Sequence, residues 1–223
     1  MTRTCALIAA SLLSASAALA DPEAATPPPS QRGAPGHWSI VTGETVSPER
    51  DAIAGAVGWP GISFSYLHGT SDRSDVGIRF DLLYGRENTT DTAFGVGADV
   101  PFRLVVNRSS HVAVGLHIEP GLRIYSTGGT TDFMTRFPVG GSIGVQATPE
   151  LRLAATADLT MAVNWTHTTF FEIGPQFGLA GEYASDRNLL VGLDLKFGPQ
   201  FVTLSGTGGR LAFTAQVVVG YRM

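Results

Sequence analysis

His117 and Glu119 stand two residues apart, and Ser142 falls on the matching parity of the next apolar stretch. These are the residue types of a serine–histidine–carboxylate relay, in which the imidazole takes the hydroxyl proton and the acid orients the ring. On a strand, side chains two apart point the same way without having to touch, so this spacing alone does not build a relay. Asp158 and Glu172 form a second candidate pair for acid–base work, but Arg152 and other cations are equally good partners for them. His167 follows Trp165 with only Glu172 as a nearby acid, while His68 and His111 sit at turn-like positions. The five histidines lack ligand spacing and the single cysteine is Cys5, which gives metal binding no support. No glycine-rich loop opens a helix, so a phosphate cradle is not expected either. The residues predict no catalytic site, no metal and no cofactor.

The same residues read differently once the elements that carry them are considered. Eight stretches alternate strictly: 76–85, 94–106, 112–125, 133–147, 151–165, 171–183, 189–202 and 211–221. All thirteen charged residues within them fall on one parity, and the other parity is apolar, as in Leu189, Val191, Leu193, Leu195, Phe197 and Phe201. Period-two alternation is the mark of β-strands with two unlike faces. A wholly apolar face opposite a charged one fits a transmembrane β-barrel with a polar interior. Two weaker strands are expected at 37–44 and 55–67, for about ten antiparallel up-and-down strands, or eight if these two do not pair. Short connections (107–110, 148–150, 185–188) alternate with longer ones (86–91, 126–132, 164–169, 203–209), as in barrels with short inner turns and long outer loops. Pro60, Pro101, Pro120, Pro138, Pro175 and Pro199 interrupt the stretches. Because parity survives across Pro120, Pro138, Pro175 and Pro199, continuous strands with local bulges are expected.

The chain opens with Arg3, an apolar run at 6–17 and Ala18-Leu19-Ala20, the pattern of a cleavable secretory signal over 1–20. Cys5 would leave with it. Residues 21–36, with Pro27-Pro28-Pro29, read as a disordered periplasmic segment, and 37–223 as one barrel domain. Loss of Arg3 takes the net charge from −4 to about −5, with basic residues spread singly, which excludes a nucleic-acid footprint.

With these features the chain resembles the small bacterial outer-membrane β-barrel proteins, the OmpA/OmpX-like or porin-like barrel class. The resemblance covers 37–223 and rests on the signal, the alternating strands and the last stretch, where Phe213, Ala215, Val217, Val219 and Tyr221 alternate up to Met223. Members of the class usually end in Phe or Trp, a terminal strand that the barrel-assembly machinery recognises. The resemblance implies an outer-membrane location in a Gram-negative cell, with lipid and that machinery as partners. Aromatic girdles are expected from Tyr84, Phe94, Phe133, Trp165, Phe171 and Phe201 at the outer level and Tyr66, Tyr183 and Tyr221 at the inner one.

The expected lumen-facing set is Arg79, Asp81, Asp99, Arg103, His117, Glu119, Arg123, Arg136, Arg152, Asp158, Glu172, Glu182, Asp194 and Lys196. Near balance of its signs favours a salt-bridged core over a sign-selective channel. The expected role is a structural barrel or a narrow passive pore for small solutes, not an enzyme. Two alternatives stay open: a soluble secreted barrel carrying an apolar ligand, with the faces inverted, and a membrane-embedded lipid-modifying enzyme.

Overall fold

The computed structural model describes residues 38–86, 92–166, 169–203 and 210–223. The expected signal over 1–20, the segment 21–36 and His167 lie outside the described residues. The strand segments are β1 (Asp51–Trp59), β2 (Gly61–Gly69), β3 (Ser74–Gly85), β4 (Thr92–Asp99), β5 (Phe102–Arg108), β6 (Val112–Ile118), β7 (Gly121–Thr127), β8 (Thr130–Arg136), β9 (Val139–Gln146), β10 (Leu151–Asn164), β11 (Phe170–Ala184), β12 (Leu189–Val202) and β13 (Arg210–Arg222). Segments β4 and β5 are halves of one strand broken near Pro101; β6 and β7 are likewise broken at Pro120, and β8 and β9 at Pro138. Ten antiparallel strands therefore close into a barrel: β1 pairs with β13, and β10 pairs with both β11 and the β8/β9 strand. Closure leaves no open edge.

The two parities point to opposite sides of the wall. In β12, Val191, Leu193, Leu195 and Phe197 are exposed on the outside while Asp194 is buried inside. The same holds for Phe80 and Leu82 against Asp81 in β3, and for Leu122 and Ile124 against Arg123 in β7.

The prolines are accommodated in two ways. Pro101, Pro120 and Pro138 lack an N–H, yet their carbonyls still accept from Gly77, Val100 and Glu119 at 2.9, 2.9 and 3.0 Å, so the wall continues across each break. Pro175 and Pro199 lie within continuous strands. The β11–β12 ladder passes from the Ile173–Phe201 pair to the Phe177–Phe197 pair, and both prolines fall in that one gap. One lapse in the ladder absorbs two missing donors. The bulges expected at prolines lie elsewhere, between Leu83 and Gly85 and between Val105 and Asn107.

Three other expectations are corrected. The stretch 55–67 is not one strand: β1 and β2 form a hairpin that turns at Pro60. The connection expected over 126–132 is a two-residue turn, Gly128-Gly129, with φ of 58° and 89°. Such left-handed angles suit glycine and match the twist of the paired strands. The segment 37–44 is no strand: its described part, 38–44, lies inside the barrel. Its alternation resembles a strand, but Gly43 at φ 89° bends it, and its backbone groups are held by side chains of the wall rather than by a ladder.

Candidate functional site: the lumen and its plug

The end of the barrel where β1 begins and β13 finishes is its terminal end. Residues 38–46 cross the bore there. Trp38 and Val46, with Ala52 of β1, Leu67 of β2 and Leu190 of β12, make a small apolar cluster against which Ile40 packs. The Arg222 guanidinium lies over the Trp38 ring, 5.6 Å from its centre. Around this cluster the contacts are polar. Glu182 of β11 accepts the Ile40 and Val41 N–H groups at 2.7 and 2.9 Å and the Thr42 hydroxyl at 2.6 Å. Arg103 of β5 donates to the Ser39 and Ile40 carbonyls at 3.0 and 2.7 Å, and its fork holds Asp75 at 2.8 and 2.6 Å. Asp75 in turn accepts the Val46 N–H at 2.7 Å. Glu44 closes the row with Arg108, 2.5 Å away.

Small residues in the wall make the crossing fit. A Cβ at Gly144 of β9 would run into the Thr42 carbonyl, and one at Gly115 of β6 would stand 2.6 Å from the Gly43 carbonyl. Gly97 makes room for a side chain instead, since a Cβ there would collide with Arg123.

Beyond the plug, the charges of the mid-lumen divide between two walls. On one, Asp99 is 1% exposed. It receives Arg79 and Arg123 at 2.7 Å each, with Arg136 at 3.9 Å. Asp81 takes Arg123 at 2.9 Å and Arg79 at 3.4 Å, and Glu119 takes Arg79 at 2.9 Å. On the other, Lys196 lies 2.7 Å from Asp158 and 3.5 Å from Asp194, and His117 reaches across to Asp158 at 3.2 Å. A buried ion pair holds only when its partners satisfy each other, and here three guanidiniums share the carboxylates of Asp81, Asp99 and Glu119. Arg152 is buried 3.5 Å from Gln146 Oε1, and Glu172 is buried opposite Ala162 and Val202.

A cavity of about 210 Å³ remains between plug and walls, touching Ile40, Gly43 and Thr45 on one side and Arg136, His117 and Lys196 on the other. Toward the far end, here the loop end, Leu83, Ala93, Tyr125, Met134 and Ala162 form an apolar collar, with Arg86 stacked over Tyr125 at 5.6 Å.

The structure does not join the residues considered for catalysis. His117 faces Asp158, Glu119 faces Arg79, and Ser142 lies under the plug beside Gly43. Of the aromatic set, Tyr84, Phe94, Phe133, Trp165 and Phe201 are exposed at the loop end, with Phe171 half-buried beside them. Tyr66, Tyr183 and Tyr221 are exposed at the terminal end. The Trp165 indole donates to Thr135 at 3.0 Å, and the Tyr84 hydroxyl donates to the Gly58 carbonyl.

Sequence reasoning missed Asp75, Arg108 and Glu44. Asp75 continues the inward parity of Arg79 and Asp81 one residue before the stretch begins, so lengthening that strand finds it. Arg108 sits on the outward parity and turns inward only because the bulge at Val105 and Asn107 shifts the register. Glu44 carries no signal of its own, since its place depends on the chain folding back into the bore.

Neither the protein-family models nor the curated proteins give a match to this chain.

Proposed function

We propose that the protein is an integral outer-membrane β-barrel whose bore is closed at rest, serving as a structural barrel or a narrow passive pore rather than as an enzyme. The observation that carries this reading is the outer surface. Phe64, Phe80, Leu122, Ile143, Phe177 and Leu179, drawn from five strands, are 47–67% exposed on it, while the ionic side chains turn inward. An unbroken apolar circumference far exceeds the apolar patches of water-soluble monomers. It suits hydrocarbon, and a closed wall supplies the internal backbone pairing that hydrocarbon demands. Aromatics at both strand ends suit the two lipid–water levels. In this reading the terminal end is periplasmic, lipid surrounds the wall, and β13 is what the barrel-assembly machinery engages. Carriage of an apolar ligand would need an apolar bore, and this bore is ionic.

The test is expression with the leader in a Gram-negative host, followed by fractionation and gel migration before and after heating. An outer-membrane protein with heat-shifted migration and near-zero conductance in a planar bilayer is the expected result. A soluble protein whose migration ignores heating would overturn the reading.

A further inference from the structure

We propose that residues 38–46 are a displaceable gate, an internal strap that closes the terminal mouth of the bore and opens it by leaving. The inference rests on the membrane reading above and adds a conducting state to it. Four observations carry it. The wall is complete without the strap, because every strand is paired to its neighbours on both sides and none of those ladders includes 38–46. Its departure would leave the barrel closed as a sheet.

The latch is polar as well as apolar. Glu182 alone takes three of the strap's donors, and Arg103 takes two of its carbonyls. Water can replace such partners in an open bore, so their net worth is modest and reversible. The strap also has a fixed pivot. At 47–50 the chain turns, with Glu49 at φ 57°, Arg50 N–H on the Ser47 carbonyl at 3.1 Å and Glu49 N–H on the Gly69 carbonyl at 3.0 Å. Behind the strap lies the 210 Å³ cavity, which runs on to Leu83, Tyr125 and Met134 of the collar, so that departure of the strap would open it at the terminal mouth. The near-balanced charges of the walls make the open state a weakly selective pore for small ions.

The experiment compares the full mature chain with Glu182→Ala in planar bilayers, after heat-shifted migration has shown that each is folded. The parent should be nearly silent, and Glu182→Ala should pass about tenfold more current or above. The mature chain has no cysteine, so a lock can be added. A Cβ at Gly220 would stand 2.9 Å from Ile40 Cγ1, which puts Ile40→Cys and Gly220→Cys within disulfide reach. Oxidation of this pair in the Glu182→Ala background should silence the current, and reductant should restore it. A folded Glu182→Ala protein as silent as the parent, or a lock without effect, overturns the gate while leaving the membrane reading intact.

If Glu182→Ala does not fold, Gly144→Val, which collides with the Thr42 carbonyl and leaves the latch residues in place, is read in the same way. If the parent proves soluble, the membrane reading fails. The strap is then tested by maleimide labelling of Ser142→Cys: labelling that is slow in the parent and fast with Glu182→Ala supports a movable strap, and equal rates overturn it.

Discussion

Asp99 shows how much one side chain holds in this bore. Its carboxylate receives Arg79 and Arg123 directly and stands 3.9 Å from Arg136, at 1% exposure. Asp99→Ala would leave three guanidiniums facing one another around two remaining acids. The expected cost is about 3–5 kcal/mol, as for other buried pairs stripped of one partner. It would be read as a lower temperature for the heat-induced migration shift. Asp186, outside the strands, is a milder case. The N–H groups of Asn188 and then Leu189 hold its carboxyl below the usual carboxylate range. A depressed folded value stabilises the turn above the unfolded value, near pH 4, and that support is lost as pH falls through the folded one. Amide exchange at Leu189 should therefore speed up, relative to a neighbouring turn, only in that acid window.

Among the elements, the β7–β8 hairpin depends most on backbone geometry. Gly128 and Gly129 both adopt left-handed angles, and alanine at either costs about 1–2 kcal/mol. Gly128→Ala with Gly129→Ala should lower the midpoint of urea unfolding, whereas alanine at the short turn residue Ser110 should leave it nearly unchanged. The strand segments themselves were legible in the sequence because one face is apolar and the other polar, so parity marks each strand and its facing. The hairpin at Pro60 was not legible. Ala54, Gly55, Ala56 and Gly58 give little contrast between faces, and the stretch reads as a single strand until the pairing of Val57 with Ile62 is seen. The strap at 38–46 was misread for the opposite reason. Trp38, Ile40 and Thr42 alternate well, but alternation says nothing about whether a neighbouring strand is free to pair.

At the scale of the whole molecule, the outer surface separates a lipid environment from an aqueous one. Leu179, 67% exposed, lies inside the long strand β11. Leu179→Arg should cost about 2–4 kcal/mol of folding stability in bilayers if that position lies at mid-depth. In water the same change should fall within about 0.5 kcal/mol. Denaturant titration of folding into vesicles gives the number, and a value near zero would count against the lipid-facing wall.

The sequence by itself determined the strand character, the facing of nearly every side chain and the gathering of charge on one side of the sheet. These follow from a local period of two that any extended chain must express. Closure at ten strands, the partners within the ionic lattice and the strap across the bore were decided only by tertiary structure. Which guanidinium meets which carboxylate depends on register and strand tilt, as with Arg79 of β3 reaching Asp99 of β4 and Glu119 beyond it. The strap depends on the bore first existing. Glu182 and Arg103 lie far apart in the chain, and only the closed wall brings both to the backbone of Ile40.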